Sequence, residues 1–251
     1  MSNAVLETRA LCKNFGALTV AEEINFVLEP GARHALIGPN GAGKTTFVNL
    51  ITGALEPSRG QVLLAGEDIT TQSEAARVKL GLARTFQINS LFWQLSVLEN
   101  VCMSIAERIG AHRQLFRPMG RRKDVIEEAH ELLTRLRLEE DAAKPVRELS
   151  YGRQRLVEIT IALGLKPKVL LLDEPAAGVP SSESGILLEV IESLPQDLAV
   201  LIIEHDMDVV FRFAQSITVL VAGRVLTEGA PGEIAANQEV RSVYLGEGSH
   251  A

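Results

Sequence analysis

The feature that most restricts what this 251-residue chain can become is the run Gly38-Pro39-Asn40-Gly41-Ala42-Gly43-Lys44-Thr45. It lies between a compact apolar segment at 34–37 and a helix-periodic segment at 44–51. A short apolar run ending in glycine reads as a buried strand, so the local order is strand, glycine loop, helix. The glycines let backbone N–H groups curve around phosphates, and the helix N-terminus adds partial positive charge. Lys44 can then reach the outer phosphate oxygens, Thr45 can offer a hydroxyl to Mg²⁺, and Thr46 completes the helix start. The loop predicts a bound nucleotide held by residues 38–46.

A second motif supports the first. Val169-Leu170-Leu171-Leu172-Asp173-Glu174 is an apolar run closed by two acids. A buried strand of this kind delivers both carboxylates to the C-terminal edge of a parallel sheet, where phosphates bind. Asp173 is placed to hold Mg²⁺, directly or through water, and Glu174 to act as a general base on the water that attacks the γ-phosphate. Alone, a strand ending in Asp-Glu is weak; beside a phosphate loop it is strong.

The third motif is Leu149-Ser150-Tyr151-Gly152-Arg153-Gln154, followed at helical spacing by Leu156, Ile159 and Leu163. By itself it reads as a serine N-cap on an amphipathic helix. Lying just ahead of the acidic strand, it resembles the signature of the ATP-binding cassette (ABC) ATPases, and the remaining elements match that family in order over nearly the whole chain. The resemblance implies that Ser150, Gly152 and the helix N-terminus bind the γ-phosphate held by an opposite subunit, in a head-to-tail dimer. It also implies that Phe15 stacks on adenine. Gln87, after Arg84-Thr85-Phe86, would contact Mg²⁺ or the attacking water, and His205, after Leu201-Ile202-Ile203-Glu204, would hydrogen-bond the γ-phosphate. The stretches 84–101, 173–178 (DEPAAG) and 243–247 further resemble the branched-chain (hydrophobic) amino acid uptake ATPases.

The implied fold is α/β: a P-loop NTPase (RecA-like) core, an N-terminal antiparallel β subdomain, and an inserted α-helical subdomain over about 88–165, with a tail at about 240–251. Direct patterns agree. Ile24 to Leu28 alternates before the Pro30-Gly31 turn, Gln61 to Ala65 reads as a strand, and Thr71 with Glu74 reads as a capping box opening a helix to Leu80. Val125, Ala129, Leu132, Leu133 and Leu136 share a helix face, and the last hundred residues alternate short apolar strands with helices.

Composition narrows the partners. A formal net charge of -7 disfavours a broad nucleic-acid surface, and the basic run at 117–123 reads as a solvated loop. Cys12 and Cys102 show no metal-ligand spacing and read as packing residues in a reducing compartment. Neither a signal peptide nor an apolar run of membrane length is visible, so a membrane crossing would have to come from another chain. What the resemblance implies beyond this is ATP hydrolysis with Mg²⁺, by a homodimer or a heterodimer with a similar ATPase subunit. It would sit on the cytoplasmic face of the inner membrane beneath integral permease subunits, served indirectly by an external solute-binding protein. A soluble ABC ATPase uncoupled from transport is the alternative.

Leu91, Phe92 and Trp93 are candidates for the groove that receives the permease. Two departures from the family pattern stand out. Arg153 replaces the usual signature glutamine, and Val179-Pro180 occupies a loop that normally hydrogen-bonds across the dimer.

Overall fold

The computed structural model describes residues 4–85, 91–110 and 122–245. Gln87, the start of the expected helical insertion at 88, most of the basic run at 117–123 and the end of the tail lie outside the described residues. In chain order the elements are β1 (Leu6–Phe15), β2 (Leu18–Leu28), β3 (Arg33–Ile37), α1 (Lys44–Thr52), β4 (Arg59–Leu64), β5 (Glu67–Asp68), α2 (Glu74–Leu80) and β6 (Leu82–Arg84). There follow α3 (Val97–Arg108), α4 (Lys123–Arg135), α5 (Tyr151–Gly164), β7 (Val169–Asp173), α6 (Ser181–Glu192), β8 (Ala199–Ile203), α7 (Met207–Phe213), β9 (Ser216–Val221), β10 (Arg224–Gly229), α8 (Pro231–Ala236) and α9 (Gln238–Leu245). The chain divides into two compact units, one of residues 1–82, 168–174 and 195–251, the other of 83–167 and 175–194.

The first unit holds an antiparallel sheet of order β2-β1-β4-β5 and most of a second sheet of order β10-β9-β3-β8-β7-β6. β2 buries Ile24, Phe26 and Leu28 and exposes Asn25 and Val27, the alternation of a sheet with one covered face. β3 and β8 are buried at every position and pair in parallel, as do β3 with β9 and β7 with β8. Continuous apolar runs suit parallel strands covered on both faces. Helix α2 corrects one sequence expectation. Its cap is Ser73, whose side chain accepts from the Ala76 N–H, and not Thr71 with Glu74 as a capping box.

Helix α1 carries the glycine loop at its N-terminus, and its other end is closed by a buried arginine. Arg77, 1% exposed, donates to the carbonyls of Leu50 (2.8 Å) and Ile51 (2.6 Å) in the last turn of α1, and to those of Thr70 (2.7 Å) and Gln72 (3.1 Å). Terminal helix carbonyls have no intrahelical partner, and a planar guanidinium with five donors can serve several at once. Gly53, in the left-handed region at φ +83°, ends the helix by donating to the Asn49 carbonyl at 3.1 Å.

His34 is the polar member of β3. Its Nε2 lies 2.8 Å from Thr218 Oγ1, and that hydroxyl donates to Glu228 Oε2 at 2.8 Å. Since the hydroxyl proton is spent on Glu228, Nε2–H is the donor of the first bond. Phe26 packs edge-on at 5.0 Å. Burial pushes the imidazole down to about 4.

The second unit is helical at its centre. α3 opens on a capping box in which the Glu99 N–H donates to Ser96 Oγ and Glu99 Oε2 accepts from the Ser96 N–H. α4 buries Val125, Ala129 and Leu133, with Leu136 buried at its end. Arg108 of α3 donates to both Glu128 carboxylate oxygens at 2.7 Å and to the Gly164 carbonyl of α5 at 2.8 Å, joining three helices. Within α5, Arg155 pairs with the buried Glu158 at 3.0 Å, and burial still pushes that carboxyl up to about 7.

The buried arginine and the buried histidine can each be tested. Replacing Arg77 by Met leaves several buried carbonyls without a donor, which should cost about 3 kcal/mol or more. Chemical denaturation should show this, with Arg77→Lys recovering only a fraction of the loss. For His34, the unfolded chain takes up a proton near pH 6.5 that the folded chain refuses until about 4. Stability should therefore fall as pH drops through that window and lose nothing more from this group below it. Glu158 has the opposite sign between its ordinary range and about 7, so the His34 share is the difference between wild type and His34→Gln. That difference should be about 3 kcal/mol across the window, read from denaturation at pH 7 and pH 4.

Candidate functional site

The site in the first unit is assembled by strand register. Ile203 of β8 is paired with Leu36 of β3 on one side and with Asp173 of β7 on the other. The three strands therefore end within one residue of the same level. Just beyond them stand the glycine loop, the Asp173-Glu174 pair and the Glu204-His205 pair. With strands about 4.8 Å apart, the loop strand and the acidic strand are separated by about 10 Å, with β8 between them.

The loop is held by close backbone approach. A Cβ on Gly38 would stand 2.2 Å from the Leu220 carbonyl oxygen, and one on Gly43 would stand 2.9 Å from the Val20 carbonyl oxygen. Gly43 is also the N-cap of α1, in the left-handed region at φ +99°, and no side chain caps the helix there. The Ala42 N–H turns back to the Pro39 carbonyl at 3.1 Å, and the Ala42 carbonyl accepts from Gly223 N–H at 2.9 Å. Lys44 Nζ donates to the carbonyls of Gly38 (2.5 Å) and Pro39 (3.2 Å), so its ammonium lies over the loop. Asn40, Gly41 and Thr45 are exposed, while Pro39 and Thr46 are partly so. The surface presented is a curve of backbone around one cation, which suits a polyanion.

Opposite the loop, Asp173 ends β7 partly buried, and Glu174 leaves the strand in the left-handed region at φ +46° with its N–H on the Ile203 carbonyl at 2.9 Å. A glutamate tolerates that conformation poorly, and such strain concentrates at functional positions. The turn leaves the Glu174 side chain half exposed. His205 Nδ1 lies 3.9 Å from Glu174 Oε1 and 3.8 Å from Glu204 Oε2. Glu204, 1% exposed, also accepts from the His205 N–H at 3.2 Å. Two carboxylates thus lie near the same ring nitrogen of His205. Sequence reasoning treated Glu204 only as the end of a strand; the signal was a charged residue directly after a buried apolar run.

Phe15 lies at the tip of the β1–β2 hairpin, paired with Leu18 and 53% exposed, with Lys13 Nζ 5.1 Å from its ring centre. It is not a core residue. The same hairpin continues to Val20, whose carbonyl meets Gly43, so the aromatic ring and the glycine loop are tied through β2.

In the second unit Ser150 is the N-cap of α5, yet its side chain makes no capping bond. The Gly152 N–H in that first turn donates instead to Glu183 Oε2 at 2.9 Å. Pro180, one of the two departures, is the N-cap of α6, and its carbonyl accepts from the N–H groups of Glu183 and Ser184. Phe92 is exposed, Leu91 is buried and Trp93 is intermediate. The buried Asn100 fixes this segment by accepting from the Phe92 N–H (3.0 Å) and donating to its carbonyl (3.2 Å). Among the described residues no group of three or more His, Cys, Asp or Glu is placed to hold a metal by itself, and no helix is long and apolar enough to cross a membrane.

A phosphate loop, an acid pair and a histidine on one edge of a parallel sheet define a P-loop nucleotide hydrolase, and the comparisons narrow the class. The ABC transporter family model matches residues 21–177, and the chain belongs to that family as an ATP-binding, ATP-hydrolysing subunit. A model described as branched-chain amino acid ATP-binding cassette transporter matches residues 224–250. The chain is 35% identical over 98% of its length, and 100% of theirs, to the high-affinity branched-chain amino acid transport ATP-binding proteins BraF of Pseudomonas aeruginosa and LivG of Escherichia coli K12. Among solved structures, the ADP conformation of an ATP-binding cassette of an ABC transporter superposes with a TM-score of 0.85 at 29% identity, covering 98% of this chain and 100% of that one. A nucleotide-free cassette gives 0.84 at 28%, covering 96% and 98%.

The structure also shows where the unusual Arg153 points. Its Nη1 donates to the Arg137 carbonyl and lies 3.0 Å from Asp141 Oδ2, while Lys144 binds the other oxygen of Asp141 at 2.7 Å. The charge is held by the Arg137 carbonyl and balanced by the buried Asp141 carboxylate. Arg153→Gln should therefore leave MgATP affinity unchanged and cost about 1–2 kcal/mol of stability, since Lys144 still compensates Asp141. Nucleotide titration paired with chemical denaturation checks both halves.

Proposed function

We propose that the chain binds MgATP through Gly38, Pro39, Asn40, Gly41, Ala42, Gly43, Lys44, Thr45 and Thr46, with Phe15 against the adenine. Glu174 acts as general base, and His205 hydrogen-bonds the γ-phosphate. The observation that carries this reading is the shared sheet edge, where Ile203 sets Asp173 and the glycine loop at one level. The Thr45 hydroxyl and the Asp173 carboxylate are hard oxygen donors on either side of that edge, a set that fits Mg²⁺, which keeps several waters of its own. Gln87 is assigned beside them by its place in the sequence. Bound Mg²⁺ would neutralise charge on the transferring phosphoryl group.

Two subunits meet head to tail, each glycine loop facing Ser150 and Gly152 of the other. The pair is a homodimer or includes a similar ATPase subunit. It works against integral permease subunits at the inner face of the cell membrane, where the exposed Phe92, its backbone fixed by Asn100, is a contact point. Branched-chain amino acids or related small organic solutes are the cargo, supported by the likeness to LivG and BraF and by the match at 224–250, with an external binding protein delivering them.

Glu174→Gln tests the assignment, because it keeps shape and removes basicity. Turnover should fall by about 10² to 10⁴, the usual worth of a general base, while MgATP still binds. With the γ-phosphate retained, MgATP and not MgADP should drive a dimer seen by light scattering, and Ser150→Arg should abolish it. Wild-type turnover in Glu174→Gln would reject the base, and a dimer indifferent to Ser150→Arg would reject the composite site.

A further inference from the structure

The Gly152 N–H carries an internal anion. It donates to Glu183 Oε2 at 2.9 Å, and a Cβ at position 152 would stand 2.4 Å from that same oxygen, so a larger residue there would have to push the carboxylate aside. Its origin is specific. Pro180 starts α6, which places Glu183 in the first turn of that helix, while Gly152 is in the first turn of α5. The half-buried carboxylate lies between the beginnings of two helices, each of which carries partial positive charge. Ser150, at the N-cap, contributes no side-chain cap of its own, so this end of α5 is satisfied by a side chain from α6.

We infer that Glu183 is a competing ligand for the phosphate-receiving end of α5, holding the Gly152 N–H until the γ-phosphate of the opposite subunit displaces it and so setting the ATP concentration at which the dimer closes. The inference rests on the composite site proposed above and adds a residue to it. An N–H offers one hydrogen, so carboxylate and phosphate cannot both hold it at full strength. A carboxylate left in place would also repel the incoming phosphate charge within a few ångströms. ADP lacks the γ-phosphate and has nothing to exchange for the Glu183 contact. The restraint therefore opposes closure in every state, and only the ATP-loaded one brings a group that can displace it. The Val179-Pro180 departure gains a role by the same geometry: its proline starts the helix that presents Glu183.

The test compares Glu174→Gln with Glu174→Gln/Glu183→Ala and Glu174→Gln/Glu183→Gln, titrating MgATP and following dimer formation by light scattering. Removing the carboxylate should lower the half-maximal MgATP by roughly tenfold, the scale of one charge-assisted hydrogen bond. The amide variant, which keeps size and folding contacts but loses charge, should shift it in the same direction by less. Nucleotide affinity measured with Ser150→Arg added, where subunits stay apart, should not change, because Gly152 serves the neighbour's nucleotide. If Glu183 only caps α5, both variants would raise the required MgATP or leave it unchanged, and either result overturns the inference. A failure of the composite site itself looks different. The parent Glu174→Gln protein would then form no ATP-dependent dimer, or one that Ser150→Arg does not disturb, and the inference would fall with it.

Discussion

In β8, Ile203 pairs with Leu36 on one side and Asp173 on the other, and its carbonyl accepts from the Glu174 N–H. That one residue sets the ends of three strands to within one position of each other. A slip of a parallel strand buried on both faces would break its ladder bonds and unseat side chains close-packed against both covering layers. The phosphate loop, the acid pair and the histidine can be offset from one another only by breaking ladder bonds inside a core where Leu36, Leu171, Leu201 and Ile203 are fully or nearly fully buried. Chemical precision at the edge is thus inherited from packing beneath it.

The edge is also fixed from behind. α1 leaves the loop and ends on Arg77, whose guanidinium gathers carbonyls from α1 and from the segment before α2. Burying an arginine is costly unless its donors are satisfied, and here each named bond goes to a backbone carbonyl whose position is set by the fold. His34, within β3, has a comparable role. Kept neutral by burial and bonded through Thr218 to Glu228, it ties β3 to β9 and β10 without placing a charge in the core. The loop at the front can then remain uncapped by side chains, with its donors available to a polyanion, because α1 is anchored elsewhere.

The second unit follows a different logic, in which polar contacts at helix ends carry the specificity. Arg108 joins α3, α4 and α5, Arg153 and Lys144 share Asp141, and Glu183 closes the start of α5 from α6. Most of these contacts link elements that are distant in sequence. The two departures noted at Arg153 and Val179-Pro180 both resolve into such contacts: one is paired with Asp141 and the Arg137 carbonyl, the other starts the helix whose Glu183 accepts from the Gly152 N–H.

The sequence by itself determined the loop, the acid pair, the signature and the α/β order, because each is written in contiguous residues whose spacing matches the period of the element that bears it. Strand, glycine turn and helix are local, as is an apolar run ending in Asp173-Glu174. Tertiary structure alone decided which carboxylate flanks which nitrogen of His205, that Ser73 and not Thr71 caps α2, that Phe15 is exposed, and that the Gly152 N–H belongs to Glu183. Those facts depend on where residues come to rest once the chain has packed. Neither hydrophobic periodicity nor a residue type carries that information, since the same arginine or glutamate reads identically on a solvated surface and in a buried pair until the surrounding elements are folded.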